Sequence, residues 1–283
     1  MNGVATIVLA GGLGSRLGCD IPKGCCTVGG ASLYEIFFRK FAVSKQPLAG
    51  LMFSSFNINE SVKFIYESAF WGVDYLTTFP FEQGLSAGGK PDGHGGLFEA
   101  AAKSGFLSYA LSRGIQHFNI VPIDNVLAPV SDPDFQDNHI AGGYDVSLKV
   151  VFRESVDEPC SALADTPAGK PPAVVEWRTL MDQPNTPIAK AAHAPYGFGV
   201  TNMMMLSATF FQTCCKNFSR YAPFRSIPGD SRVQERFLFD VISHAKKVQT
   251  VLVDRDKQFY PIKNKTGKYS LEEANKLFTY VKG

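Results

Sequence analysis

The sequence is poor in the features that would place it in a specialised class. None of its apolar runs is long enough to span a bilayer, and the first predicted strand begins at Val4, which leaves no room for a signal peptide. The formal net charge is +2 over 283 residues, and the Lys and Arg residues are dispersed. We therefore expect a cytoplasmic protein with no nucleic-acid or membrane partner.

Cysteine usage excludes two further classes. The six cysteines are Cys19, Cys160 and the adjacent pairs Cys25-Cys26 and Cys214-Cys215. This spacing matches neither a C-x-x-C zinc site nor the disulfide framework of a small secreted domain. Reduced thiols are expected, and 45% hydrophobic with 19% charged residues is typical of an ordinary globular protein, here predicted as one domain over 1–283.

What the sequence does contain is an alternation of strand and helix patterns, which predicts an α/β fold. A β-branched run predicts a buried strand over Val4–Leu9. A helix is predicted at 32–44, where Ser32 can cap the first turn with Glu35 in the third position. The apolar segment 199–211 is predicted to be packed core, and the proline-rich segment 181–195 is interpreted as a flap. Further strands are predicted at 50–54, 75–81, 118–123, 144–152, 173–177 and 248–253, and helices at 59–70, 97–113, 236–245 and 271–281.

A glycine-rich segment directly follows the first strand. Gly11, Gly12 and Gly14 precede Arg16, and Lys23 follows a few residues later. Glycines let a backbone come close to a ligand, and unblocked N–H groups can bind phosphate oxygens. The Gly-Lys-Ser/Thr of a P-loop is absent, and leucine replaces the third glycine of the dinucleotide-binding pattern. The segment therefore predicts a phosphate-binding loop of another kind.

The wider sequence resembles the UDP-sugar pyrophosphorylase family, and most closely its UDP-N-acetylhexosamine pyrophosphorylase branch. Residues 9–24 read LAGGLGSRLGCDIPKG, and further blocks follow in the family's order: FEQG at 81–84, PDGHGGL at 91–97, IDNVL at 123–127, VVE at 174–176 and FYPIKN at 259–264. The resemblance implies a glycosyltransferase-A-like, Rossmann-like fold with a mixed, mostly parallel sheet flanked by helices. Longer relatives have extra regions at both ends, so the chain is interpreted as a minimal catalytic domain.

The same resemblance implies a uridylyltransferase that acts on UTP and a sugar 1-phosphate, as a monomer or weak oligomer. The expected product is UDP-N-acetylglucosamine or a related UDP-hexosamine. A Mg²⁺ or Mn²⁺ ion is the implied cofactor, with one carboxylate as its protein ligand. The implied residues are Arg16, Lys23 and Lys263 for catalysis; Leu9, Gly11, Gly12, Gly14, Gln83 and Gly93 for the nucleotide; His94, Ser161, Glu176 and Asn202 for the sugar; and Asp124 for the metal.

The choice of sugar stays open, because three positions depart from the hexosamine pattern. His94 replaces an asparagine and is similar to the Gly-His-Gly of UDP-glucose and broad-specificity enzymes. Ser161 replaces a glycine, and Asn202 alone is kept from an asparagine-rich sugar loop. The alternatives are therefore a UDP-glucose or broad-specificity UDP-sugar pyrophosphorylase and, in another class, a non-catalytic protein that binds nucleotide sugars.

Overall fold

A computed structural model describes residues 3–155, 158–164, 166–182, 197–227 and 230–278. Most of the predicted flap at 181–195 lies outside these residues. Within them no helix is long and apolar enough to cross a membrane. The helices are α1 (Leu33–Ser44), α2 (Ile58–Glu67), α3 (Leu97–Lys103), α4 (Phe106–Ser112), α5 (Pro133–Gly142), α6 (Trp177–Asp182), α7 (Ala208–Lys216), α8 (Phe218–Tyr221), α9 (Arg255–Gln258) and α10 (Leu271–Leu277).

The strands are β1 (Val4–Leu9), β2 (Thr27–Val28), β3 (Ala31–Ser32), β4 (Ala49–Phe53), β5 (Thr78–Glu82), β6 (His117–Pro122), β7 (Val146–Phe152), β8 (Ala162–Ala164), β9 (Ala173–Val175), β10 (Phe198–Ser207), β11 (Phe224–Ile227), β12 (Asp230–Arg236) and β13 (Val248–Leu252).

A mixed sheet of nine of these strands forms the centre of the described structure. Its main path runs β13-β7-β10-β6-β1-β4-β5, with β8 paired to β10 and β9 to β8. Pairing is parallel except around β10, which is antiparallel to β6, β7 and β8, and between β8 and β9.

Strand β1 is buried on both faces, which explains its continuous apolar sequence. Ile7 belongs to the core that includes α3, α4 and α7, whereas its neighbour Val8 belongs to the core beneath α1. Successive strand residues point to opposite faces of a sheet, so one strand contributes to both cores. The predicted strand over Val4–Leu9 is confirmed residue for residue.

Helix α1 shows how local sequence sets an element boundary. The Ser32 hydroxyl accepts a hydrogen bond from the Glu35 N–H at 3.0 Å, which satisfies one of the free donors of the first turn. Leu33, Ile36 and Phe37 lie buried on one side of the helix. The predicted capped helix is therefore confirmed.

Two of the predicted helices are wrong in extent or type. The one over 97–113 is broken into α3 and α4, because Gly105 takes a left-handed φ of 83° and ends the hydrogen-bonded run. The one over 236–245 starts too early, since Arg236 is the last residue of β12 and its N–H donates to the Asp92 carbonyl at 2.6 Å. Residues Leu238–His244 form 3₁₀ turns instead.

Candidate functional site

The chain segments that carry the predicted site residues meet at one edge of the central sheet. Strands β1, β4, β5 and β6 are parallel neighbours, so their carboxyl ends lie side by side. The glycine-rich loop follows β1, Gln83 follows β5, and Asp124 follows β6. Ligands in open α/β sheets bind at such an edge.

The loop after β1 is folded back on itself by backbone hydrogen bonds. The Gly14 N–H donates to the Ile21 carbonyl at 3.0 Å, and the Lys23 N–H donates to the Gly12 carbonyl at 3.1 Å. A Cβ at Gly14 would lie 2.6 Å from the Ile21 oxygen, so only glycine fits there. In this conformation the Gly14 N–H closes the loop and is not offered to a phosphate.

Buried Asn57 ties the same loop to the end of β4. Its Nδ2 donates to the carbonyl oxygens of Ala10 and Gly12, at 2.8 and 3.2 Å. Its Oδ1 accepts the Ser54 N–H at 2.9 Å. Sequence reasoning missed this residue, because an asparagine after a strand carries no pattern that identifies a contact 47 residues away in the chain.

Gln83 lies between the two predicted nucleotide-binding segments. Its Nε2 donates to Asp92 Oδ1 at 3.2 Å and lies 3.5 Å from the Gly93 carbonyl oxygen. A Cβ at Gly11 would overlap Gln83 Oε1, so the absence of a side chain there makes room for the amide. The structure thus brings Gly11, Gln83 and Gly93 together, as the predicted nucleotide site requires. Leu9, at the end of β1, accepts the Ile123 N–H and holds the β1 and β6 ends in register.

Lys23 and Asp124 form an ion pair at the mouth of this edge. Lys23 Nζ lies 3.0 Å from Asp124 Oδ2 and 3.5 Å from the Ile262 carbonyl oxygen, one residue before Lys263. Burial by itself would raise the pKa of the Asp124 carboxyl, but the charges of Lys23 and Lys263 outweigh it and hold that pKa below its usual value. Asp124 is therefore ionised at neutral pH.

A cavity of about 480 Å³ opens beside this ion pair. It is large enough for a sugar phosphate, and sites for small ligands have volumes of this order. Lys263 Nζ makes no hydrogen bond or ion pair to another described residue, so its charge is available to a ligand. Seven of the predicted site residues line the cavity: Lys23, His94, Asp124, Ser161, Glu176, Asn202 and Lys263.

His94 is neutral and has a defined tautomer. Its Nδ1 accepts the Leu238 N–H at 2.9 Å, which places the ring proton on Nε2. Burial, and then the nearby Lys263 charge, lower the pKa of the imidazole to about 4. His94 therefore lines the cavity as an uncharged hydrogen-bond donor.

Asn202 owes its position to an irregularity in β10. The register of β10 against β7 shifts between Val200 and Met204, and Asn202 takes a left-handed φ of 61° inside that bulge. Asparagine tolerates this conformation better than most residues, and bulges often redirect a side chain towards a site. Ser161 lies close by, because its carbonyl oxygen accepts the Val200 N–H at 2.8 Å.

Arg16 is the one predicted catalytic residue whose side chain lies outside the described structure, although its backbone is in the 3₁₀ turn Gly14–Leu17. Glu176 lines the cavity, but it follows β9 rather than ending it, since β9 stops at Val175.

Among the described residues no three His, Cys, Asp or Glu side chains are grouped as a metal site. The role of Asp124 as a metal ligand stays a prediction.

Comparison with known proteins finds relatives named as enzymes that make UDP-sugars. The family model described as UTP–glucose-1-phosphate uridylyltransferase matches residues 50–170. UDP-N-acetylglucosamine diphosphorylase 2 of Arabidopsis thaliana is 27% identical over 322 residues, covering 97% of this chain and 64% of that protein. The chain spans 61 to 64% of the length of the first three curated relatives it matches.

Solved structures show the same fold. The uridine diphosphate N-acetylglucosamine pyrophosphorylase of Trypanosoma brucei matches with a TM-score of 0.77 and 23% identity, over 98% of this chain and 65% of that one. The UDP-glucose phosphorylase of Trypanosoma brucei matches with a TM-score of 0.74 and 19% identity, over 92% of this chain and 64% of that one. The expected mixed, mostly parallel sheet is therefore confirmed.

Proposed function

We propose that this chain is a member of the UDP-sugar pyrophosphorylase family and that it makes a UDP-sugar and pyrophosphate from UTP and a sugar 1-phosphate. One observation carries the proposal: Lys23, Asp124 and Lys263 line one cavity, and Gln83 lies against Gly11 of the same glycine-rich loop that leads to Lys23. These residues supply an amide that suits a base, cations that suit phosphates and a space that suits a sugar.

The reaction needs no covalent enzyme intermediate. A phosphate oxygen of the sugar 1-phosphate attacks the α-phosphorus of UTP, the bond from that phosphorus to the α,β-bridging oxygen breaks, and pyrophosphate leaves with that oxygen. Both reactants are polyanions, so the protein's task is to hold them in line and to neutralise charge. We assign Lys23 and Arg16 to the β- and γ-phosphates and Lys263 to the sugar phosphate.

The donor set at Asp124 fits a Mg²⁺ or Mn²⁺ ion. Magnesium commonly takes one or two carboxylates and completes its shell with phosphates and waters. Asp124 is ionised, lies in the cavity wall and is paired only with a flexible lysine among the described residues. When bound, the ion would neutralise phosphate charge. Lys23, which pairs with Asp124 in this structure, would then be available to the triphosphate.

N-acetylglucosamine 1-phosphate is the sugar substrate that we propose, supported by the names of the relatives that cover most of this chain. His94 favours the second candidate, glucose 1-phosphate, because Gly-His-Gly is similar to the pattern of UDP-glucose enzymes. Its neutral Nε2–H can donate to a sugar hydroxyl. Glu176, Ser161 and Asn202 line the part of the cavity that the sugar would fill.

A panel of sugar 1-phosphates with UTP and Mg²⁺, scored by pyrophosphate release, tests the proposal. The highest kcat/KM is expected with N-acetylglucosamine 1-phosphate, ahead of N-acetylgalactosamine 1-phosphate and glucose 1-phosphate. A preference for glucose 1-phosphate would support the second candidate. UDP-sugar binding without pyrophosphate release from any member of the panel would instead indicate a non-catalytic binding protein.

A further inference from the structure

Asp92 is a buried residue whose carboxyl group contacts the Gln83 amide. It is only 1% exposed, and it lies between two glycines that flank the base-binding segments. A Cβ at Gly96 would overlap Asp92 Oδ1, and a Cβ at Gly84 would lie 2.9 Å from Oδ2. The backbone of Asp92 is fixed as well, because its N–H donates to the Gly84 carbonyl at 3.0 Å.

The contact between Asp92 and Gln83 decides how the Gln83 amide is oriented. An ionised carboxylate only accepts hydrogen bonds, so the NH₂ end of the amide must face it. Nε2 lies 3.2 Å from Asp92 Oδ1, and Oε1 is left on the side of Gly11, where no described residue donates to it. The amide therefore presents an acceptor towards the glycine-rich loop.

Uracil and cytosine differ at the atom that this acceptor would meet. Uracil carries N3–H, a donor, whereas the N3 of cytosine is an acceptor. We propose that Asp92 is a positioning residue that sets the preference for uracil over cytosine, by holding the Gln83 amide with its oxygen towards the base. This inference rests on the proposed function, because it assumes that Gln83 contacts the base of a bound nucleotide.

The protonation state of Asp92 supplies a readout that a merely structural role lacks. Burial raises the pKa of the Asp92 carboxyl to about 6, although Gln83 and Arg236 oppose the shift, and Glu99 adds to it. Arg236 and Glu99 are the charged groups that face Asp92 from β12 and α3. A protonated carboxyl can donate to Gln83 Oε1, so the amide can reverse and offer Nε2–H to the N3 of cytosine.

The test is the ratio of UTP to CTP affinity, measured by calorimetry between about pH 5.5 and about pH 8. Both nucleotides carry the same triphosphate, so its titration cancels in the ratio. For the unmodified protein we expect the preference for UTP over CTP to fall by about tenfold as the pH drops through 6. A change of about tenfold in affinity corresponds to the loss of one charge-assisted hydrogen bond. A ratio that stays constant with pH would overturn the inference.

Asp92→Asn isolates the charge, since asparagine has nearly the same shape but can donate as well as accept. It should show the low UTP/CTP ratio of the acidic protein at every pH. The inference would be overturned if Asp92→Asn kept the high UTP/CTP ratio at pH 8. It would also be overturned if the ratio of this variant still fell as the pH dropped through 6. Asp240→Asn is the matched control, because burial also raises the pKa of Asp240 to about 6 but this carboxylate pairs with Arg225 and not with Gln83.

Binding and turnover separate this inference from the proposed function. If UTP binds with the expected pH-dependent preference while no sugar 1-phosphate yields pyrophosphate, the uridylyltransferase proposal fails and the role of Asp92 stands. If pyrophosphate is released but Asp92→Asn leaves the ratio unchanged, the inference about Asp92 fails alone. Thermal unfolding of each variant shows whether it is folded before its affinities are compared.

Discussion

Lys23 Nζ lies 3.0 Å from Asp124 Oδ2, and this ion pair joins the loop after β1 to the loop after β6. The same ammonium group lies 3.5 Å from the Ile262 carbonyl oxygen, next to Lys263. Lys23 thus contacts two segments that lie 101 and 239 residues away in the sequence. Lys23 and Lys263, the two cations that we assign to the phosphates of the reactants, thus lie near the carboxylate that we assign to the metal ion.

Replacing Lys23 with Ala should lower kcat by at least about 100-fold, because a charge that neutralises the leaving pyrophosphate is lost. The loop should stay folded, since its closing hydrogen bonds use the backbone of Gly12 and Lys23. Steady-state kinetics and thermal unfolding measure the two effects. Lys63→Ala, which breaks an exposed pair with Glu67, is the control and should match the unmodified protein. Near-normal turnover without Lys23 would contradict its assignment.

Lys263→Ala should act on the second substrate. Its ammonium group lines the cavity and forms no ion pair with another described residue, so we expect kcat/KM for the sugar 1-phosphate to fall by at least about tenfold. UTP affinity should change much less. Lys268→Ala in the same loop is the control, because Lys268 is half-exposed and pairs with Glu154. An equal loss in both variants would argue against a specific phosphate contact.

His94 should make the protein sensitive to acid. Its folded pKa of about 4 lies below the usual 6.5, so between these values the unfolded chain binds more protons than the folded one. The stability that His94 contributes is therefore complete above pH 6.5 and is lost as the pH falls towards 4. Urea unfolding at several pH values should show the stability difference between the unmodified protein and His94→Gln shrinking across that window. A constant difference would mean that His94 titrates normally.

Gly11→Ala should weaken UTP binding, because the added Cβ would overlap Gln83 Oε1 and displace the amide. The neighbouring Gly12→Ala is a matched comparison in the same loop. Its Cβ would meet Lys23 Cε at 3.6 Å, an ordinary contact, so a smaller effect is expected. Calorimetric titration with UTP measures both. Equal losses of affinity would show that loop flexibility, rather than the Gln83 contact, decides binding.

Local patterns predicted the elements whose boundaries are set within a few residues. Strand β1 and the Ser32 cap of α1 are of this kind, and both were predicted correctly. Arg236 was wrongly assigned to a helix because its neighbours favour one, whereas the backbone of Asp92, far away in the sequence, pairs with it. The cavity residues came from a resemblance in sequence, and only the fold shows that they face one space.

Asn57 was also missed by sequence reasoning, because its partners Ala10 and Gly12 are far away in the sequence. Asn57→Ala would leave the carbonyl oxygens of Ala10 and Gly12 and the N–H of Ser54 without their partner in a buried place. Each buried group left unsatisfied costs about 1–3 kcal/mol, so we expect a loss of about 2 kcal/mol or more in the free energy of unfolding. UTP affinity should fall too, because the phosphate loop loses its anchor to β4.

Asn275→Ala provides the comparison. Asn275 makes similar bonds, accepting the Gly29 N–H at 2.8 Å and donating to the Leu271 carbonyl at 2.8 Å, but at the surface. Water replaces these bonds in the variant, so its cost should stay below about 1 kcal/mol. Urea unfolding of both variants gives the two free energies. If Asn57→Ala cost no more than Asn275→Ala, the loop would have to be held by its own backbone bonds, and the anchoring role of Asn57 would be wrong.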